Sequence, residues 1–308
     1  MSVVLVTGAA GSLGRVVVPE LARLGHTVRQ LDQREANPEH EQVRGDVRDP
    51  AVVGSAMTGA DAVVHAAAIH GIHLDRFTPA DFWDLDATGT FTVYDAARRR
   101  GVPKIVLCSS MAVYGRSAER TESGWATVDD ESAVLPADAY GVAKHAAETL
   151  AADAARTWGI ETVALRLGMF VPETFERYGF RLLFGGVDDR DVAQATLLAL
   201  DHRPREGFDT FNVFAQTPFT TDEAGELADE PWAVIERHFP GTVELAESRG
   251  LDRDDVLWGW AIWSSAKAYD VLGYRPEYDF DRFLASWRAE DPSLYPFADL
   301  PRWASEGV

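Results

Sequence analysis

The chain has 308 residues, 46% of them apolar, which is enough to bury the core of one large domain or one and a half domains. A formal net charge of −20 makes nucleic acid and anionic membrane surfaces poor partners. No apolar run approaches the roughly 18 residues that span a bilayer, and the N-terminal residues lack the features of a signal peptide. Because Cys108 is the only cysteine, disulfide bonds within the chain are excluded and we expect a cytoplasmic protein.

Short apolar runs alternate with longer amphipathic stretches through the first half of the chain. The predicted strands are Val3–Val6, Val28–Leu31, Gln42–Arg44, Ala62–His65, Lys104–Ser109 and Glu161–Arg166. The predicted helices are Leu13–Leu24, Pro79–Arg100 and Pro136–Trp158. Apolar strands without polar alternation, separated by helices, indicate an α/β fold with a doubly wound parallel sheet that is covered on both faces.

The pattern loosens after residue 166. The predicted elements there are an irregular loop at Phe170–Gly186, a helix at Val192–Asp201, a strand at Thr210–Val213 and an acidic helix at Asp222–Phe239. The sequence shows no internal repeat, low-complexity tract or linker. We therefore expect residues 1–166 to form the main sheet domain, and residues 167–308 to add late sheet elements and a small C-terminal cap.

Three glycines fall where the first strand runs into the first helix. Gly8 permits a tight turn, Gly11 lets the backbone approach a pyrophosphate, and Gly14 permits close packing of the helix on the strand. The helix begins at Ser12 and Leu13, where free N–H groups and the positive end of the helix dipole favour phosphate. This pattern predicts a Rossmann-type domain that binds a dinucleotide, and residues 1–166 would carry it.

The ends of the next strands carry further candidate cofactor contacts. Asp32 can accept hydrogen bonds from both ribose hydroxyls of NAD and would repel a 2′-phosphate, whereas Arg34 could bind that phosphate. We expect NAD over NADP on this ground. Asp46 follows the third strand and is placed for the adenine amino group. Val47 beside it and Ala66 after the fourth strand are the other expected cofactor contacts.

A tyrosine and a lysine lie four residues apart in the long helix. At this spacing Tyr140 and Lys144 share one helix face. An ammonium group near the phenol would lower the pKa of Tyr140, which is about 10 when unperturbed, and so permit base catalysis near neutral pH. Lys144 could also hold the nicotinamide ribose. Cys108 is expected to be a small buried strand residue rather than a reactive thiol.

Motifs along nearly the whole chain occur in the order of a known group of enzymes. They are VTGAAGSLG, GDVRD, VVHAAA, CSSMAVYG, YGVAK, RLG and the tail motif SSAKAYDVLGYRP. The chain resembles the extended short-chain dehydrogenase/reductase superfamily, the group of the NDP-sugar epimerases and dehydratases. The resemblance implies a carbohydrate oxidoreductase or epimerase with NAD as its cofactor.

The resemblance also implies a third catalytic residue and a homodimer. Ser110, four residues before Tyr114, would bond the reacting oxygen and orient it toward Tyr140; Ser109 would replace it if the register were shifted by one. Family members pair two helices from each subunit, which correspond here to Pro79–Arg100 and Pro136–Trp158. Small residues on these helices are the expected contacts, namely Ala96, Ala97, Ala143, Ala147 and Ala151.

Two positions depart from the pattern of the nucleotide-sugar enzymes. Asp86 stands where the family usually has asparagine. Met169 stands where those enzymes carry an asparagine that contacts the substrate diphosphate, and methionine cannot donate to a phosphate. The stretch between Phe170 and Asp191 is also shorter than their nucleotide-binding segment.

The shortened region resembles that of the uronate dehydrogenases, which act on free sugar acids. They share the Arg-Leu-Gly-type segment after the sixth strand, a proline in the following loop, and an arginine upstream of an aspartate. The matching arginine is Arg181, whose guanidinium could bind a substrate carboxylate, with Arg177 as a rival. Trp263 matches that group's Trp-rich C-terminal loop. The acidic stretch from residue 221 to 258 has no counterpart there.

His70 and His73 follow the fourth strand. A metal site would need a third ligand, and the sequence offers no convincing one, so no metal is expected. His70 is a candidate contact to a substrate hydroxyl.

Three functions are compatible with these motifs. The first is an NAD-dependent dehydrogenase of a free sugar or a uronate-like sugar acid, with Tyr140 as general base assisted by Lys144 and Ser110, and with the C-terminal cap binding the substrate. The alternative is a nucleotide-sugar 4-epimerase or dehydratase with tightly bound NAD. The third, a non-catalytic NAD-sensing regulator, is disfavoured by the intact triad. The partners expected are a small carbohydrate and a second copy of the chain, with neither nucleic acid nor membrane.

Overall fold

Seven parallel strands form the central sheet in the computed structural model, which describes residues 2–257, 259 and 261–298. The strands of the chain are β1 (Val3–Thr7), β2 (Thr27–Asp32), β3 (Glu41–Arg44), β4 (Ala62–His65), β5 (Lys104–Ser110), β6 (Ala126–Val128), β7 (Glu161–Leu167), β8 (Phe208–Val213) and β9 (Ala261–Trp263). The order in the large sheet is β3-β2-β1-β4-β5-β7-β8, and β6 pairs with β9 in a separate parallel pair. The expected doubly wound Rossmann-type sheet is confirmed.

Helices cover both faces of this sheet. The helices of the described residues are α1 (Ser12–Arg23), α2 (Pro50–Ala56), α3 (Pro79–Phe82), α4 (Gly89–Arg100), α5 (Ala139–Trp158), α6 (Phe175–Arg181), α7 (Asp189–Asp201), α8 (Ala224–Asp229), α9 (Pro231–His238), α10 (Thr242–Ser248), α11 (Arg253–Val256) and α12 (Phe280–Arg288). Helices α1 and α7 bury their apolar sides against one face, and α2, α4 and α5 cover the other. None of the helices within the described residues is long and apolar enough to cross a bilayer.

Several predicted elements differ from the observed ones. The predicted helix Pro79–Arg100 is interrupted by a π-helical turn at Trp83–Thr88. The expected loop Phe170–Gly186 contains α6, whose N-terminus is capped by the Thr174 hydroxyl, so that prediction was wrong. The acidic helix Asp222–Phe239 is two helices that meet at Pro231, which lacks the N–H that a continuous helix requires.

A second hydrophobic core lies in the C-terminal half. It is rich in aromatic side chains that pack edge to face, including Phe180, Phe280, Phe283 and Trp287. Pairing of β9 with β6 sets Trp263 opposite Val128 in register. Trp263 then packs against Tyr114 and Phe214, which follow β5 and β8, with ring centroids 6.1 Å and 5.0 Å away.

A buried ion pair connects α5 to the sheet. Two nitrogens of Arg166 on β7 donate to the two carboxylate oxygens of Glu148 on α5, at 3.0 Å and 2.9 Å. The third guanidinium nitrogen donates to the hydroxyl of Tyr114, which in turn donates to the side-chain oxygen of Asn212 on β8. Ser109 on β5 also donates to Glu148, at 2.6 Å. Because both charges are fully hydrogen-bonded, the cost of removing them from water is offset.

We expect Glu148→Leu to lower the free energy of unfolding by about 3–5 kcal/mol, because it leaves the Arg166 charge buried without its partner. Urea unfolding followed by circular dichroism measures the change. The matched control is Asp153→Ala on the same helix, which removes an exposed pair with Arg156 and should cost less than about 1 kcal/mol. Equal losses for the two variants would show that the buried pair does not fasten the helix.

Candidate active site

The carboxyl ends of the strands open into two adjoining cavities. The larger has a volume of about 510 Å³ and the smaller about 350 Å³. The two share Gly8, Gly11, Ala66, Ala68 and His70 in their walls. An elongated ligand of two parts can therefore pass from one cavity to the other along the glycine turn, as a dinucleotide requires.

The glycine turn fits a pyrophosphate. Gly8 has a φ of +70°, and a Cβ on it would lie 2.6 Å from a backbone nitrogen after β4, so no other residue fits there. A Cβ on Gly14 would overlap the backbone of the turn. No side chain caps the N-terminus of α1, which begins at Ser12, and Gly11, Ser12 and Leu13 line the larger cavity. The exposed N–H groups at this helix end suit an anion.

Asp32 lies at the end of β2 in the wall of the smaller cavity. Its carboxylate accepts hydrogen bonds from the backbone N–H groups of Ala10 at 3.0 Å and Arg34 at 2.9 Å. It thus holds the glycine turn in place while facing the cavity. The Arg34 side chain also lines this cavity and lies 3.4 Å from the Asp32 carboxylate.

The structure separates Asp46 from the cavity that Val47 lines. Val47 and Ala66 are in the wall of the smaller cavity, as expected, but Asp46 is not. The Asp46 carboxylate accepts hydrogen bonds from Arg48 at 3.0 Å and 2.6 Å, and these bonds lower its pKa. Its neighbours Gly45 and Val47 both line the cavity, and a contact of Asp46 with the adenine amino group stays a prediction.

Three polar side chains meet at the floor of the larger cavity. Helix α5 starts beside it, capped by the Asp138 carboxylate, which accepts from the N–H of Gly141 at 2.7 Å. The first turns of α5 then place Tyr140 and Lys144 in the cavity wall with Ser110 from the end of β5. The Ser110 hydroxyl lies close enough to that of Tyr140 to lower the pKa of the phenol.

Lys144 lies next to Tyr140 and is held there by a hydrogen bond to the backbone. Its ammonium group donates to the carbonyl oxygen of Cys108 at 2.9 Å and lies 5.8 Å from the centre of the Tyr140 ring. Burial lowers the pKa of Lys144. Tyr140, Asp86 and other neighbours raise it by a larger amount, so the net pKa of Lys144 lies above its ordinary value. The lysine therefore remains protonated at neutral pH.

The net pKa of Tyr140 differs in direction from the expectation. Burial raises it, and the Lys144 charge and the Ser110 hydroxyl lower it only in part. The sign of the lysine effect agrees with the sequence argument, but removal of the phenol from water is the larger effect. That penalty depends on the fold around the helix and cannot be read from the Tyr–Lys spacing.

The register of the two serines is clear in the structure. Ser109 donates to Glu148 and so belongs to the buried ion-pair network. Ser110, one residue on, is the serine that contacts Tyr140. Cys108 is buried, and burial raises the pKa of its thiol to about 12.

Asp86 is a buried acid that the sequence analysis marked only as a departure from a motif. It lies in the π-helical turn, 1% exposed, and one carboxylate oxygen accepts from the N–H of Ile69 at 2.8 Å. Its other oxygen has no hydrogen-bond partner among the described residues. Burial raises the pKa of Asp86 to about 7, against the opposing effect of Lys144. When charged, Asp86 raises the pKa of both Lys144 and Tyr140.

His70 and Trp263 lie in the wall of the larger cavity, where the sequence analysis placed candidate substrate contacts. Burial lowers the pKa of His70 to about 4, with Lys144 and His73 acting in the same direction. The imidazole is therefore neutral and suited to a hydroxyl rather than a charged group. The described residues contain no group of three side chains that could hold a metal ion.

The expected anion anchor, Arg181, is not in the cavity wall. Its side chain is fully buried, lies 3.1 Å from the Glu173 carboxylate and donates to the carbonyl oxygen of Val171 at 2.7 Å. The rival Arg177 pairs with Asp255. The cause of the error is α6, which the sequence analysis missed and which directs Arg181 into the C-terminal half. We correct the assignment of Arg181 as a substrate contact.

Comparison with known sequences gives a consistent group of relatives. The model of the NAD dependent epimerase/dehydratase family matches residues 4–177. A uronate dehydrogenase of Pseudomonas putida is 31% identical over 75% of this chain and 92% of its own length. One of Pseudomonas syringae is 33% identical, but the match spans only 56% of this chain and 61% of that protein. A UDP-glucose 4-epimerase of Corynebacterium glutamicum is 30% identical over 89% of this chain and 91% of its own.

Solved structures share the fold of this chain over nearly its whole length. A short-chain dehydrogenase/reductase superfamily protein from Agrobacterium tumefaciens, solved with bound NAD, superposes with a TM-score of 0.69 and 26% identity, covering 94% of this chain and 97% of that one. A UDP-galactose 4-epimerase, at 24% identity and a TM-score of 0.68, shows the fold alone. The glycine turn fits the NAD that the family's members use, and the expected superfamily and cofactor are confirmed. This chain belongs to the NAD dependent epimerase/dehydratase family.

Proposed function

We propose that this protein is an NAD-dependent dehydrogenase that oxidises a hydroxyl-bearing carbon of a free sugar or sugar derivative. The observation that carries the proposal is the meeting of Ser110, Tyr140 and Lys144 in a cavity that continues into the one lined by the glycine turn and Asp32. When bound there, NAD supplies the hydride acceptor. The remaining requirement is a group that takes the hydroxyl proton.

The three side chains divide the proton chemistry. The Ser110 hydroxyl, which lines the cavity beside Tyr140, orients the reacting hydroxyl toward the phenol. Tyr140 accepts the proton as general base. Lys144 stays protonated between the Cys108 carbonyl and the tyrosine ring, where its charge stabilises the phenolate that base catalysis requires.

The cavity wall favours a free sugar over a nucleotide sugar. A diphosphate removed from water needs several hydrogen-bond donors. Met169 lies in the wall and offers none. The uronate dehydrogenases among the relatives support a dehydrogenase, and the UDP-glucose 4-epimerases support the alternative of an epimerase. With Arg181 and Arg177 paired elsewhere, the sugar-acid form of the hypothesis loses its anchor.

Two further proposals concern the setting of the enzyme. The single cysteine is consistent with the reducing conditions of the cytoplasm, where we propose the protein acts.

We also propose a homodimer, but not one that forms through the alanines named from the sequence. Those side chains, Ala96, Ala97, Ala143, Ala147 and Ala151, are buried inside the subunit. The exposed apolar side chains of this region are Trp83, Phe91 and Val142.

We expect Tyr140→Phe to retain NAD binding and to lose turnover by about 10²-fold or more, because the proton acceptor is removed while the ring remains. NADH formation at 340 nm with a panel of free aldoses measures turnover, and calorimetric titration measures NAD affinity. Tyr278→Phe is the control, since Tyr278 packs on Arg190 outside both cavities. Near wild-type turnover in the Tyr140 variant would contradict the assignment of Tyr140 as general base.

We expect Asp86→Asn to move the rising limb of the kcat/KM profile to lower pH. The charge that Asp86 acquires as pH rises through about 7 raises the pKa of Tyr140, and the uncharged amide of the variant cannot have this effect.

The same substitution should change how stability depends on pH. Since the folded-state pKa of Asp86 exceeds the ordinary 3.8, the stability that protonated Asp86 contributes is lost as pH rises through about 7. The variant should therefore lose less stability than the wild type between pH 5 and pH 9.

Asp84→Asn is the control for that experiment. Asp84 lies in the same π-helical turn but is exposed and paired with Arg48. Its profile should match that of the wild type. Coincident profiles for all three proteins would contradict the role of Asp86.

For the dimer, we expect light scattering at micromolar concentration to give twice the mass of one chain. Phe91→Asp places a charge at the exposed apolar position on α4 and should yield a monomer, because a carboxylate buried without a partner in the interface opposes association. Leu24→Asp, at an equally exposed position after α1, should remain dimeric. A monomeric wild type would refute the proposal.

A further inference from the structure

Part of the wall of the larger cavity is apolar. Four large side chains form it, and we call them the apolar wall: Met111, Met169, Phe184 and Trp263. They come from the segment after β5, the segment after β7, the residues after α6, and β9. In the sheet, β5 and β7 lie beyond β4 from β1, whose end carries the glycine turn, so we take this wall to border the part of the cavity that is left for the substrate.

Two side chains of the apolar wall are packed into hydrophobic clusters: Phe184 belongs to the second core, and Trp263 to a smaller cluster around Phe214. Phe184 packs against Trp125 with ring centroids 5.6 Å apart, and Trp263 against Phe214 at 5.0 Å. A Cβ on Gly185 would lie 2.7 Å from the Trp263 ring nitrogen and 3.0 Å from the end of Met111, so both side chains pack closely on the backbone at Gly185. A wall packed in this way is formed before the ligand arrives and selects by shape and polarity.

The charges around this cavity do not suit an anion. Lys144 is the one cationic side chain among the lining residues that the structure describes, and its ammonium is committed to the Cys108 carbonyl and Tyr140. Two carboxylates, Glu119 and Asp138, line the same cavity. The arginines that flank the lining segment after β7 are all paired with carboxylates: Arg166 with Glu148, Arg177 with Asp255 and Arg181 with Glu173.

We propose that the substrate is a neutral hydroxyl compound that carries an apolar group beside the reacting carbon, rather than a sugar acid or a nucleotide sugar. This rests on the proposed function, because it takes the cavity beside Tyr140 as the substrate site. A substrate carboxylate placed there would be desolvated without a cationic partner and close to two carboxylates. An apolar group would instead be removed from water against the apolar wall.

Matched binding probes test the charge and the apolar contact separately. The NADH-loaded enzyme cannot oxidise an alcohol, so calorimetric titration reports binding alone. Phenyl β-D-glucopyranoside should bind at least about tenfold more tightly than phenyl β-D-glucuronide, which differs only in its carboxylate. It should also bind at least about tenfold more tightly than methyl β-D-glucopyranoside, which lacks the ring. UDP-glucose should bind more weakly than the phenyl glucoside.

A variant with an added cation provides the complementary test. Met169→Arg should narrow or reverse the preference against the glucuronide, whereas Leu24→Arg, at an exposed site outside both cavities, should leave it unchanged. If circular dichroism shows that the first variant is misfolded, Met111→Lys replaces it.

Each unfavourable outcome has a definite meaning. Equal or tighter binding of the glucuronide or of UDP-glucose by the wild type overturns the proposal, as does absence of binding by all the probes. Equal binding of the methyl and phenyl glucosides overturns the role of the apolar wall. These results are independent of turnover. Undiminished activity of Tyr140→Phe would therefore reject the proposed function while the binding preference still stood. Failure of the binding preference would likewise reject the substrate proposal while the catalytic role of Tyr140 still stood.

Discussion

The buried pair between Glu148 and Arg166 is the interaction on which the active site depends. Tyr140, Lys144 and Glu148 follow one another at intervals of four residues, so they lie along one face of α5. The face that carries the catalytic groups is thus the face fastened to the sheet. A buried charge pair tolerates little displacement, because each charge is compensated only while its hydrogen bonds are intact.

The same network explains why adjacent serines have different environments. Ser110 is the last residue of β5 and lines the cavity, whereas Ser109 is one residue further inside the sheet, next to a later part of α5. Ser109 meets the Glu148 carboxylate, and Ser110 meets Tyr140. The sequence motif shows two serines side by side. Their positions along β5 place Ser109 beside Glu148 and Ser110 beside Tyr140, which lies two turns earlier on α5.

How far the sequence predicts the site depends on the range of the interactions involved. The glycine turn and the Tyr140–Lys144 spacing are local, so strand, turn and helix rules place them correctly. The burial penalty on Tyr140 arises from elements distant in sequence, and the spacing could not reveal that it outweighs the lysine. Likewise the strands of the large sheet were predicted closely from their apolar runs, whereas the three-residue β6 and β9 form only because they pair with each other.

Arg181 shows where a family pattern and a fold diverge. Residue spacing relative to Asp191 placed it as an anion anchor, but α6 turns its guanidinium toward Glu173 within the C-terminal half. The C-terminal segments that surround it also supply Phe184 and Trp263 to the cavity. The dinucleotide side and the triad depend on the sheet and α5, while the polarity of the substrate side depends on the C-terminal packing. Relatives can therefore share the proton chemistry and differ in the charge of the substrate, because the two are set by separate parts of the chain.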